Sequence, residues 1–441
     1  MKPLSSLPLR RGASGRPGLP RARFLGIALA VPLAGRTGRA ADDELRNRIA
    51  RAREVCRERP ESARALDRLA ALELREYRST HAAETIAGAS AVVERALAID
   101  PRDFDARRFR VSILLTNHEF GAVEKEGLAL SAERPRDADV LGMVADAQME
   151  SGRYPEALAT IQRMVDLRPG LPSYSRVAYA REIHGDLEGA VAAMDMAISA
   201  GDSTDAEGLS WCIARSGTLL WKLGRVADAG SRFDAAARVF PRSPHAWEGK
   251  GLVARARGEY VQAGACFEKA FSIVPWPQYA IERAATAEAL LRPAEARRWL
   301  SIVRAIEKIS TEAGLFNRVL ALFEADHGDA SRAADMAAAE LAVRRDVYGW
   351  DASAWALYRA GRIAEAEQAA RHAVALGTQD PMLDAHAGIV FAAAGDRAAA
   401  RDRLARALAV NPAFDPAVAR EAREALALLD RPAGTINGGG R

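Results

Sequence analysis

A few short stretches hold residue types that could do chemistry. Gly249-Lys-Gly251-Leu-Val-Ala254 fits the glycine fingerprint of a dinucleotide loop, in which backbone N–H groups at a helix N-terminus hold a pyrophosphate. Glu324-Ala-Asp-His327 has the spacing that puts a carboxylate and an imidazole on one helix face, as in a di-iron bundle. His184-Gly185-Asp186 recurs as His327-Gly328-Asp329. Cys56, Cys212 and Cys266 are odd in number and unrelated in spacing, so they support neither a disulfide framework nor a zinc site and read as small buried hydrophobes. Each chemical reading needs its own elements: a buried strand ahead of the glycines, or two packed helices sharing the carboxylates.

The elements follow from an internal period. Gly152, Gly185, Gly224, Gly258, Gly328, Gly361 and Gly395 are 33, 39, 34, 70, 33 and 34 residues apart, and the step of 70 is two units with one glycine missing near Arg292. An alanine stands five residues after each: Ala157, Ala190, Ala229, Ala263, Ala333, Ala366 and Ala400. Pro101, Pro135, Pro169, Pro241, Pro275 and Pro412 close many units. Each unit therefore reads as two amphipathic helices, the glycine ending the first and the proline following the second. Between Pro244 and Pro275, Trp247, Gly251, Gly258, Tyr260, Ala263, Phe267 and Ala270 occupy the places of large and small residues in the tetratricopeptide repeat, which this stretch closely resembles. Gly217, Gly224, Ala229, Phe233 and Ala236 extend the resemblance to the unit from Ser210 to Pro241.

The resemblance covers about residues 81 to 425 and implies an all-α fold, a right-handed superhelical solenoid of helix-turn-helix repeats. The expected organisation is a signal peptide over 1–40, capping helices over 41–80, an array of eight to nine repeats plus a capping helix over 81–430, and a disordered tail over 431–441. Gly251 then lies inside a first helix with no strand before it, so the cofactor reading fails and no cofactor is expected. In a solenoid each repeat touches only its neighbours. His184 and His327, 143 residues apart, cannot then share a metal, and no metal site is expected. Residues 41–441 hold no nucleophile elbow, HExxH or phosphate loop, and the repeats leave no segment for a catalytic domain, so the protein is read as no enzyme.

Hydrophobic residues at 49% and charged ones at 27% make a globular chain. The net charge of +4 comes from residues 1–40, which carry Lys2 and seven arginines without an acid; removing those eight leaves 54 bases against 58 acids. A basic face for nucleic acid is therefore not expected. The same segment has the order of a secretory signal: basic residues, the apolar run Phe24–Gly35, then small residues before a cleavage point after Ala40. Twelve apolar residues are too few for a membrane span, which needs about 20. Arg36 stands where a lipoprotein box would need cysteine, and Arg10-Arg11 lies far from the apolar run for twin-arginine export. The expectation is an exported protein, periplasmic or extracellular, not integral to the membrane after cleavage; a basic cytoplasmic tail is the alternative.

In the family, the second, fifth, ninth, twelfth and thirteenth places of each first helix line the concave groove. The resemblance puts Tyr179, Trp211, Trp221, Tyr279, Tyr348, Trp355 and Tyr358 there as candidate peptide-binding residues. Tyr348, Trp355 and Tyr358 form one helix stripe, and aromatics are favoured at binding hot spots. The clamp for a terminal carboxylate is absent, since the fifth places include Glu248, Glu282 and Asp351 and the ninth places contain no asparagine. The reading is a non-catalytic protein–protein interaction scaffold or assembly factor of the bacterial envelope, with a peptide or partner protein in the groove. The alternatives are a repeat-bearing subunit of an enzyme complex, or a cytosolic regulatory scaffold if the N-terminus is retained.

Overall fold

The computed structural model describes residues 34–312 and 317–430, folded into twenty-two α-helices with no strand among them. Residues 1–33 of the expected leader and the expected tail 431–441 lie outside the described residues. The chain divides into two compact units, residues 1–113 and 114–441.

In the first unit, α1 (Ala34–Glu58) runs through the expected cleavage point, followed by α2 (Ala63–Thr80), α3 (Ala83–Ile99) and most of α4 (Phe104–Thr116). Ser62 caps α2 by accepting from the Ala65 N–H. Ile49, Cys56, Leu66, Leu69, Val93, Leu97 and Ile113 share one core.

In the second unit, α5 (Phe120–Glu133) precedes eight helical hairpins: α6 (Ala138–Glu150) with α7 (Tyr154–Leu167), α8 (Leu171–Ile183) with α9 (Leu187–Ala200), α10 (Ala206–Lys222) with α11 (Val226–Val239), and α12 (Pro244–Ala256) with α13 (Tyr260–Ile273). Next come α14 (Pro277–Ala289) with α15 (Pro293–Glu312), α16 (Arg318–His327) with α17 (Ala330–Val343), α18 (Val347–Arg359) with α19 (Ile363–Ala373), and α20 (Pro381–Ala394) with α21 (Arg397–Val410). A single helix, α22 (Pro416–Asp430), ends the described array. Aspartates open many helices: Asp137, Asp186, Asp205, Asp346, Asp380 and Asp396 each accept a first-turn N–H.

The period decides the packing. All seven alanines of the repeating column are wholly buried. Gly251 of α12 is a packing glycine: a methyl there would stand 2.6 Å from the Phe267 ring of α13, and Gly249 takes the Phe233 ring of α11 more closely still. Gly152, Gly185, Gly224, Gly258, Gly361 and Gly395 all adopt positive φ at the turn between paired helices. Two turns depart from this. Gly328 has φ −143° and instead makes room for the Glu324 carboxylate, which accepts from the Asp329 N–H at 3.0 Å. Where the glycine is missing, Leu291 takes the left-handed conformation with φ 57°.

Candidate functional site

The left-handed turn residue sets the register of each first helix, standing fourteen positions after its first place in the pairs Ala138/Gly152, Leu171/Gly185, Pro244/Gly258, Val347/Gly361 and Pro381/Gly395. Leu291 holds that position for α14, so Pro277 is its first place and Tyr279 its third. Tyr279 was expected at the second place, on the groove; the structure corrects this by one residue, and the ring is wholly buried at the position where α12 has the equally buried Ala246.

Trp355 and Trp221 keep their expected places but are enclosed. Both stand on inward places, yet Trp355 is wholly buried and Trp221 is 6% exposed, so in this conformation neither offers a ligand a face. The His386 ring stacks on Trp355 with centroids 4.0 Å apart, and the Arg359 guanidinium lies 4.4 Å from its ring centre. Its indole N–H donates to Asp326 at 3.0 Å. Asp351 holds His386 at 3.1 Å; burial lowers the imidazole pKa, but the Asp351 charge outweighs it and the net shift is upward. Tyr179, Tyr348 and Tyr358 are half-buried, and Trp211 is exposed at 38%.

Trp355 is enclosed by α16, α20 and its own helix, whereas around Trp221 the inward face is closed because hairpins far apart in sequence meet. The carbonyls of Arg345, Gly377 and Val410 press on the turns at Gly152, Gly185 and Gly224, about 190 residues earlier, leaving no room for a Cβ. Five hairpins intervene in each case. The expectation that each repeat meets only its neighbours is thus overturned, since the array curls until one turn rests on the next. Along this seam Arg344 donates to Glu150 at 2.6 Å, Thr378 to the Ile183 carbonyl at 2.5 Å, and Asn411 to the Trp221 carbonyl at 2.8 Å. Val347, Ala373 and Leu383 join the apolar cluster of Ile161, Val177, Ile183 and Leu187.

Inside the curl lies a charged cluster that sequence reasoning missed. Glu182 accepts from Arg215 at 2.6 Å and from Lys222 at 2.7 Å. Lys222 also donates to Tyr348 at 2.8 Å and pairs with Asp380 at 2.6 Å. Burial pushes the Glu182 pKa up, but the two cations overcome it and hold the carboxyl at about 2. Burial likewise opposes the charge on Lys222, while Asp380 and Glu182 raise it well above the ordinary lysine value. A lysine fixed as cation beside a glutamate fixed as anion has no proton to exchange near neutrality, so the cluster is built for cohesion rather than acid–base work. Its members come from α8, α10, α18 and the cap of α20; only their repeated inward placement, visible once the register is known, could have flagged them.

The other chemical candidates are occupied by structure. Glu324 is buried between Arg304 and Arg332, and His327 packs on Phe323 with ring centroids 5.0 Å apart. His184 Nδ1 meets the Ala180 carbonyl at 2.7 Å. What stays open is the inward surface of α12 and α14, where His245, Glu248, Leu252 and Ile281 are half-buried and Ala285, Glu288 and Ala289 exposed.

A tetratricopeptide repeat family model matches residues 125–172 and 215–275. No curated protein matches the chain. Among solved structures, it is similar to the Cut9–Hcn1 hetero-tetramer of the APC/C, at 12% identity over 90% of this chain and 95% of that one, with a TM-score of 0.37. MamA is similar at 17% identity over 38% of this chain and 97% of that one, with a TM-score of 0.32. Pseudomonas aeruginosa pilF is similar at 19% identity over 47% and 90%, with a TM-score of 0.35. The matched stretches coincide with the hairpins whose glycines receive Phe233 and Phe267 and with the hairpin that carries Gly152 at the seam: these stretches match the tetratricopeptide repeat and are set in an all-helical chain of paired helices.

Proposed function

We propose that the protein is a non-catalytic interaction scaffold or assembly factor of the bacterial envelope, which holds a peptide or a segment of a partner protein against the inward face of its repeat array. Tetratricopeptide folds typically serve as protein-interaction scaffolds, and such a function resides in a surface rather than in the fold itself. The observation that carries the reading is the contrast within that face. The inward charges near the seam neutralise one another, whereas the neighbouring places of α12 and α14 remain accessible and mix small apolar with acidic side chains. Export to the envelope is supported by the leader-like composition of residues 1–40.

A display selection of random peptides on the full chain tests the site. The selected ligands should bind at least roughly tenfold more weakly to Ala285→Glu/Ala289→Glu, whose exposed positions tolerate the change without loss of helical circular dichroism. Ligands indifferent to both substitutions would place binding on another face and overturn the assignment.

A further inference from the structure

The seam has the form of a fastening that repeats. With five hairpins between, the turns at Gly152 and Gly185 each receive a backbone carbonyl from the loop that precedes a first helix, and the turn at Gly224 receives that of Val410, the last residue of α21. Gly258 has the same positive φ with nothing within 4 Å of its added Cβ, and α22, the last described helix, already follows the end of α21 that meets Gly224. Gly361 and Gly395 are equally unencumbered. Three of six chemically equivalent turns are therefore contacts and three are free. Arg255 extends the line by donating to the Phe414 carbonyl at 3.2 Å.

We propose that this seam is an autoinhibitory latch: closed, it seals Trp221 and the Glu182–Lys222–Asp380 cluster inside the array, and its release opens the rest of the inward face to a partner. The inference rests on the scaffold function above and concerns how that function is regulated. Most bonds across the seam are single polar contacts from loops, while the hairpins on either side keep their own alanine columns and glycine notches. Parting the seam separates Lys222 from Tyr348 and Asp380 but leaves Glu182 with Arg215 and Lys222 on adjacent hairpins. Each lip therefore keeps a partly neutralised, helical surface.

The free turns provide an internal control. Alanine at Gly185 or Gly224 meets both the left-handed backbone penalty and the opposing carbonyl, whereas alanine at Gly258 or Gly361 meets the backbone penalty alone. Small-angle scattering should give Gly185→Ala and Gly224→Ala a larger radius of gyration than the two control variants. Acrylamide should quench their tryptophan fluorescence more strongly, with far-ultraviolet dichroism unchanged. Thr378→Val, which removes one bond across the seam without inserting an atom into it, should move the same readouts in the same direction by less. Seam variants as compact and as poorly quenched as the controls would overturn the latch, and so would loss of helix in proportion to expansion, including in Thr378→Val. These readouts need no ligand. An expanded variant that gains no peptide binding would overturn the autoinhibitory role of the seam, while the site on α12 and α14 would stand or fall by the peptide selection above.

Discussion

At the scale of single residues, inward-facing charge is used for cohesion. Glu182 shows the balance: an isolated carboxylate this deeply buried would be neutral, and two cations reverse the preference. Its folded pKa of about 2 lies below the ordinary 4.5, so its contribution is complete above pH 4.5 and disappears as pH falls toward 2. The shift corresponds to about 3 kcal/mol. Urea titrations at pH 6 and pH 3 should therefore show an acid-induced loss of stability that is smaller by about 2 kcal/mol, the part of that contribution lost by pH 3, in Glu182→Gln than in the unaltered protein. An equal loss in both would mean that the cluster is not coupled to folding. Trp355 makes a related point. Its type suggested a hot spot, but an indole flanked by an imidazole and a guanidinium is as well suited to being an internal strut.

At the scale of elements, the hairpin is specified by three small-residue signals, each with a separate cause. Glycine supplies positive φ at the turn, alanine permits close approach of the paired helices, and glycine inside a first helix admits a phenylalanine ring. These were legible because they are local. Leu291 breaks the first rule and so displaced the expected register of α14: the turn keeps its left-handed geometry although the side chain resists it and is 89% exposed. Left-handed backbone costs a β-carbon-bearing residue about 1–2 kcal/mol, against roughly 0.5–1 kcal/mol for glycine's extra chain entropy. Leu291→Gly should consequently stabilise the array by about 0.5–1 kcal/mol in denaturant titration; a destabilised variant would mean that the Leu291 side chain makes compensating contacts.

At the scale of the second unit, the seam changes how stability is distributed. An open repeat array unfolds as a sum of neighbouring interfaces, and its ends can melt separately. Contacts across five hairpins join residues 150–152 to the loop at 344–345 and residues 183–185 to the loop at 377–378, so the ends of the array support one another. Urea unfolding followed by dichroism and by tryptophan fluorescence should coincide in the unaltered protein. Asn411→Ala removes the side-chain donor to the Trp221 carbonyl, which keeps the Gly224 N–H; it costs about 0.5–1.5 kcal/mol and should pull the two transitions apart. Non-coincidence already in the unaltered protein would show that the seam does not couple the hairpins.

The sequence by itself determined the all-helical hairpins, their phase along most of the chain, the packing role of Gly251 and the resemblance to tetratricopeptide repeats, because each depends on residues within one or two turns of helix. The tertiary structure decided which inward residues are accessible. Whether Trp221 faces a groove or a wall depends on small rotations between successive hairpins, accumulated over five of them until one turn of the array meets another. No single stretch of residues encodes that sum, since each interface contributes only a fraction of the angle that brings Gly224 beneath the Val410 carbonyl.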